Sequence, residues 1–230
     1  MIDFSEFQKK AKLDFKNQAL LKQAFIHRSY LNENRTIGSE HNERLEFLGD
    51  AVLELVITDF LYHKYIDRDE GELTSYRSAL VNATTCSEIA TDIGVNEYLL
   101  LSKGESKDTG RARQYILANT LEAIIGALYV DSGYDSAKKF IEDNFIPLID
   151  QIISAKSFID AKSLFQEKAQ EFDGFTPVYK TLKEDGPDHD KKFTVGVFVG
   201  KEKVAEGEGK SKQDAEQEAA KSALTVRRWN

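Results

Sequence analysis

The chain has 230 residues with 31 Lys and Arg against 39 Asp and Glu, a net charge of −8, and 41% apolar residues. This is the composition of a folded chain with room for one or two cores, and its single cysteine, Cys86, excludes an internal disulfide and a thiolate-rich metal cage. The start, Met-Ile-Asp-Phe-Ser-Glu-Phe, lacks a basic segment leading into an apolar run, and the longest apolar run, 123–130, is too short to span a bilayer, so a cytoplasmic protein is expected.

From Phe4 to about Ile153, apolar residues recur every three or four positions. The pattern predicts helices over 4–12, 17–25, 42–64, 70–94, 111–132 and 134–153, with Gly94 and Gly133 where helix ends are expected. The stretch 102–110 has no periodicity and reads as a mobile loop. A helix over 161–172 follows. Beyond Thr176 the period drops to two, predicting strands over 178–182, 193–199 and 203–207, with turns at Asp185-Gly186-Pro187 and Gly200-Lys201, before a last helix over 212–226. The expected architecture is an all-α domain (1–153), a linker (154–159) and an α+β domain of order α-β-β-β-α (160–228). Residues 160–230 hold 13 Lys and Arg against 14 Asp and Glu, so nearly all the acidic excess lies in the helical domain. The near-neutral tail can still present a basic face.

Within Asn-Glu-Arg-Leu-Glu-Phe-Leu-Gly-Asp (42–50), Glu43, Glu46 and Asp50 fall within about 60° of one another around a helix. Leu45, Leu48, Val52 and Leu55 are expected to cover the opposite side. Three like charges beside a core repel unless a cation neutralises them, and a hard divalent ion with oxygen ligands suits them best. A second helix carries Asn119 and Glu122 three positions apart, on a face distinct from Leu121, Ile124, Ile125 and Leu128. Gly126, one turn later, would let another helix approach closely. Two such helices side by side would place Glu46, Asp50, Asn119 and Glu122 around one cavity, an all-oxygen set suited to Mg²⁺ or Mn²⁺ and not to zinc.

These residues carry a resemblance. The 42–50 stretch with Ala51-Val52-Leu53, together with Ala24-Phe-Ile-His-Arg-Ser-Tyr30, Asp69-Glu-Gly71 and Leu121-Glu-Ala-Ile-Ile-Gly-Ala127, resembles the signatures of the ribonuclease III family. The tail is similar to the double-stranded-RNA-binding domain of its bacterial members. The resemblance implies an all-helical, homodimeric nuclease domain that cleaves duplex RNA with Mg²⁺ (Mn²⁺ as a substitute). It also implies 5′-phosphates, staggered ends, and ribosomal and other RNA precursors as substrates. By motif position it assigns Glu46, Asp50 and Glu122 to catalysis and metal, Glu43 to the dimer valley, and Phe47 to an aromatic plug into the partner. Glu70 and Glu105 fall on acidic family positions. The chain departs from the family at Asn119, where Asp is usual, and at Tyr115, where a small hydroxyl residue is commoner. An amide oxygen still coordinates Mg²⁺ but brings no charge. A duplex-RNA-binding protein that has lost cleavage through Asn119 is therefore the alternative reading.

Duplex RNA is recognised by shape through phosphates and 2′-hydroxyls. In the tail, Ser163, Gln166, Glu167 and Gln170 form a polar stripe at helical spacing, Gly186-Pro187-Asp188-His189 is similar to a second minor-groove contact, and Lys210, Ser211 and Lys212 open the last helix. Ser211 is the expected N-cap, with Asp214 completing a capping box, and the free N–H groups there suit phosphate. Ala215, Ala219, Ala220 and Ala223 are expected to pack on the sheet. His27 is expected to be a hydrogen-bonded structural residue. No Ser/His/Asp or Cys/His nucleophilic set is readable, and no histidine has Glu three positions before it, as a di-iron bundle requires.

Overall fold

The computed structural model describes residues 3–34, 40–154, 161–187 and 191–229. The chain divides into two compact units, Met1–Phe158 and Ile159–Asn230, each with its own apolar core. The linker expected at 154–159 lies, beyond Ser154, outside the described residues.

The first unit contains α1 (Ser5–Ala11), α2 (Gln18–Ala24), α3 (Arg28–Glu33), α4 (Glu43–Lys64), α5 (Glu70–Leu80), α6 (Ala83–Asp92), α7 (Arg111–Ser132), α8 (Tyr134–Phe145) and α9 (Ile149–Ser154). Along α7, Ile116–Ala118, Thr120, Leu121 and Ala123–Leu128 are all buried. Apolar residues on most sides make α7 a core helix, with α2, α4, α6 and α8 packed against it. The start of α4 is fastened to the segment after α2. Asn42 is buried, its side-chain amide donates to the Ala24 carbonyl at 3.1 Å, and its backbone N–H donates to the Ile26 carbonyl at 2.9 Å. That fixes where the first carboxylates of α4 stand.

The structure corrects the sequence-based expectation in four places. The helix predicted over 70–94 is two, because Asn82 turns extended (φ −75°, ψ 163°) and its side chain caps α6 by accepting from the Thr85 N–H. The helix over 134–153 breaks into a 3₁₀ turn at Ile146–Leu148, where Pro147 has no N–H to continue the ladder. The stretch 102–110 contains a 3₁₀ turn at Glu105–Lys107, and the Arg113 guanidinium donates to the carbonyls of Glu105, Ser106 and Asp108. Leu55 is 56% exposed and does not join the core side of α4. The short helix α3 went unpredicted; its N-cap is His27, a residue type outside the usual capping set.

The second unit comprises α10 (Ala161–Phe172), β1 (Val178–Asp185), β2 (Lys192–Val199), β3 (Glu202–Gly209) and α11 (Lys212–Arg227). The strands form an antiparallel sheet in the order β1-β2-β3. Phe165 and Ala169 of α10, Val197, Val199 and Val204 of the sheet, and Ala219, Ala220 and Ala223 of α11 make one core. The alanines let α11 lie almost on the backbone of β3: a Cβ on Gly207 would fall 2.1 Å from the Ala219 nitrogen, and one on Gly209 would fall 2.4 Å from the Ala215 nitrogen. Among the described residues, no helix is long and apolar enough to cross a membrane.

Candidate active site

The site is made where α4 crosses α7. Gly49 and Gly126 face each other there: a Cβ on Gly49 would sit 1.7 Å from the Glu122 carbonyl oxygen, and one on Gly126 would sit 2.1 Å from that of Leu45. Gly126 was legible as a close-approach residue; its counterpart Gly49 was not. The backbone contact brings Glu46 and Asp50 of α4 against Asn119 and Glu122 of α7. Burial, then the Glu43 charge, holds the Glu46 carboxyl above its usual range, against a lowering influence from the nearby Asn119 side chain. The Glu122 carboxyl is pushed up to about 8 by burial, then by the charges of Asp50 and Glu46. The four residues influence one another electrostatically, but of the four expected around one cavity only Glu46 and Asn119 line a common one.

Glu43 stands at its edge, 3.3 Å from Arg28 Nη1 and 3.8 Å from His41 Nδ1. Glu43, Glu46 and Asn119 line a cavity of about 280 Å³ with His27, Asn42, Tyr115 and Ile116. Asp50 and Glu122 lie one helical turn further along the same two helices. Tyr115, one of the two departures from the family pattern, stands on this wall with the Arg111 guanidinium 3.3 Å from its hydroxyl. Glu105 is close enough to bear on the His27 ring electrostatically. Glu70 lies elsewhere, in a groove of about 460 Å³ with Thr58, Tyr62, Leu73 and Arg77. Cys86 is fully buried, its thiol pushed up to about 12 by burial, then by Glu122 and Asp50, so it is an inert neighbour.

Among the described residues, no three His, Cys, Asp or Glu side chains converge as a ready-made metal cage. The expected ligands are brought to neighbouring positions on two helices but do not close around one point. The donor set nevertheless fits a hard cation: every available ligand is an oxygen, and a carboxyl pushed up by burial, then by its acidic neighbours, is relieved by positive charge.

On the outward side of α4, Phe47, Leu55 and Tyr62 are 80%, 56% and 66% exposed, at seven- and eight-residue spacings that keep them on one stripe.

In the second unit, Ser163, Gln166, Glu167 and Gln170 are all exposed on α10, opposite the buried Ala161, Phe165 and Ala169. Pro187 is exposed, and His189 lies outside the described residues. Ser211 caps α11 in a full capping box with Asp214. Lys210 is exposed, whereas Lys212 is tied to Glu184 of β1 at 3.0 Å, an internal pairing that spacing alone did not reveal.

Residues 17–149 match the family model described as ribonuclease-III-like, and residues 161–226 match the double-stranded RNA binding motif. A ribonuclease 3 from Bdellovibrio bacteriovorus is 45% identical over 93% of this chain and 91% of its own length. One from Geobacillus kaustophilus is 43% identical over 98% and 91%. The crystal structure of the ribonuclease III nuclease domain from Campylobacter jejuni, in which a region involved in dimer formation is flexible, is 37% identical, covers 63% of this chain and 99% of that one, and superposes with a TM-score of 0.56. With a family model matched across the helical unit, a second across the tail and relatives aligned over nearly the whole chain, the protein belongs to the ribonuclease III family and is an endoribonuclease of double-stranded RNA.

Proposed function

We propose that the cleavage depends on Mg²⁺ held by Glu46, Asp50, Asn119 and Glu122, with Glu43 at the rim, in a homodimer. The observation that carries this reading is the half-buried Glu122 carboxyl, set near two other acids at the Gly49–Gly126 crossing. A bound Mg²⁺ would supply an activated water, a stabilised leaving oxygen and charge relief at phosphorus. The chain's own part is positional. Asn119 orients Glu46, the glycine crossing sets the separation of the two helices, and the apolar wall formed by α7 limits water. Phe47 and the stripe it heads are the face on which a second copy docks, since a patch of this kind is normally covered. The acidic first unit carries the chemistry, and the tail supplies affinity through Ser163, Gln166, Glu167, Gln170, Pro187, His189, Lys210, Ser211 and Lys212. Products carry 5′-phosphates on staggered ends, precursors of ribosomal and other RNAs are the substrates, and the compartment is the cytoplasm. Incubation with a uniform duplex, with and without Mg²⁺, followed by end-group analysis, tests this directly. Cutting without a divalent ion, or 3′-phosphate ends, contradicts it.

Two further outcomes follow. Asn119→Asp adds a charge beside the cation, so the Mg²⁺ concentration for half-maximal cleavage falls, while duplex affinity measured in Ca²⁺ stays the same. The wild type favours Mn²⁺ more than the mutant does, because Mn²⁺ accepts neutral ligands more readily. An equal or higher Mg²⁺ requirement in the mutant means that Asn119 is not a weakened ligand. Deleting residues from 155 onward removes the phosphate-binding unit. Duplex affinity then drops roughly ten- to a hundredfold at physiological salt, with a shallower salt dependence, and low-salt cleavage by a dimer survives. A monomeric truncation, or an unchanged salt slope, rules this division of labour out.

A further inference from the structure

His27 caps α3 with one ring nitrogen only. Its Nδ1 accepts from the Ser29 backbone N–H at 3.3 Å and lies 2.7 Å from Ser29 Oγ. Ser29 Oγ itself accepts from the Ser102 N–H at 3.1 Å, so its one hydroxyl proton is directed at His27 Nδ1. With two donors aimed at it, Nδ1 holds no proton, and the neutral ring carries its hydrogen on Nε2. Burial, the largest influence on this group, keeps the imidazole below its ordinary range against the opposing charges of Glu105 and Glu43, and a proton on Nδ1 would meet the Ser29 N–H head-on. Among the described residues, no hydrogen bond to Nε2 is seen, and His27 lines the same cavity as Glu43, Glu46, Tyr115 and Asn119.

We propose that the His27 Nε2–H is a fixed hydrogen-bond donor to a phosphate oxygen of the RNA strand lying in this cavity, making His27 a substrate-positioning residue for cleavage. The inference rests on the reading of this cavity as part of the cleavage site. The physical need is plain: the wall is acidic and repels a phosphodiester, while Arg28, which would attract it, is engaged by Glu43. A neutral donor locked in one tautomer attracts phosphate without being neutralised by the carboxylates beside it.

Two substitutions in the full-length protein separate the cap from the donor. His27→Asn places a carboxamide oxygen near the Nδ1 position and is a strong N-cap, but it removes the donor at Nε2. His27→Gln reaches the Nε2 position with an amide N–H and leaves the cap unmade. With Mg²⁺ and a uniform duplex, His27→Asn keeps the wild-type Tm yet loses about tenfold in kcat/KM, the size of one hydrogen bond to a charged group. His27→Gln lowers Tm but retains more kcat/KM than His27→Asn. Wild-type kcat/KM in His27→Asn, or a kcat/KM that simply follows Tm in both variants, overturns the proposal. Glu122→Gln is measured alongside. If it cleaves normally, the site reading fails; if it is inactive beside a fully active His27→Asn, only the role of His27 fails.

Discussion

Glu122→Gln is expected to reduce duplex cleavage by roughly 10²–10³-fold, the range for removing one electrostatic group that acts in the transition state. The substitution keeps the shape of the side chain and deletes its charge, so the local packing is preserved. Relative to the wild type, stability should hold or rise increasingly above pH 4.5 and level off above about 8, because burial, then Asp50 and Glu46, push the wild-type carboxyl from 4.5 up to about 8. Duplex affinity measured without Mg²⁺ stays within about twofold of wild type if, as proposed above, the tail supplies most of the affinity. A gel assay of cleavage beside a binding titration separates the two effects. Cleavage within a few-fold of wild type removes Glu122 from the site.

Gly126→Ala is expected to be among the most damaging small substitutions in the first unit. The new methyl would stand 2.1 Å from the Leu45 carbonyl oxygen and 3.0 Å from the Gly49 nitrogen, backbone atoms that cannot rotate aside. α4 and α7 must therefore move apart, at about 1–3 kcal/mol or more, which corresponds to a Tm loss of roughly 5–10 °C. Cleavage falls further than stability accounts for, because the same movement carries Glu46 and Asp50 away from Asn119 and Glu122. Gly71→Ala is the control: its methyl would lie 3.4 Å from Asp69 Oδ1, near the start of α5, and both Tm and cleavage stay near wild type. Comparing Tm and kcat/KM for the two variants checks the argument; a tolerated Gly126→Ala means that the crossing does not set the geometry.

Which parts of this molecule were readable beforehand follows from the range of the interactions. The bounds of α7 and α10 come out of the recurrence of apolar residues, α10 burying one face and α7 most of its circumference. The capping box at Ser211 and Asp214 is a contact across three residues and was equally legible. The split at Asn82 was not, because a capping asparagine inside a periodic stretch looks like one more polar position until its backbone turns extended. Glu46, Asp50, Asn119 and Glu122 could be placed on faces, and Gly126 hinted that the faces meet. The role of Gly49, the anchoring of α4 by Asn42 and the Ser102 contact that holds the Ser29 hydroxyl beside His27 all join residues 16 to 77 apart in sequence, which spacing does not encode. The Lys212–Glu184 pair is of the same kind. Long-range contacts, not local propensity, decide what each of these side chains can do.

The most direct test of the central claim is a titration of the full-length wild type and Glu122→Gln with Mn²⁺, followed by the electron paramagnetic resonance signal of the free ion. If Glu46, Asp50, Asn119 and Glu122 together hold the cation, the wild type binds Mn²⁺ in competition with Mg²⁺, and Glu122→Gln weakens that binding by at least about tenfold, the upper end of the affinity loss reported for disturbing a metal site in its outer shell being about a hundredfold. Identical Mn²⁺ binding by the two proteins would contradict it.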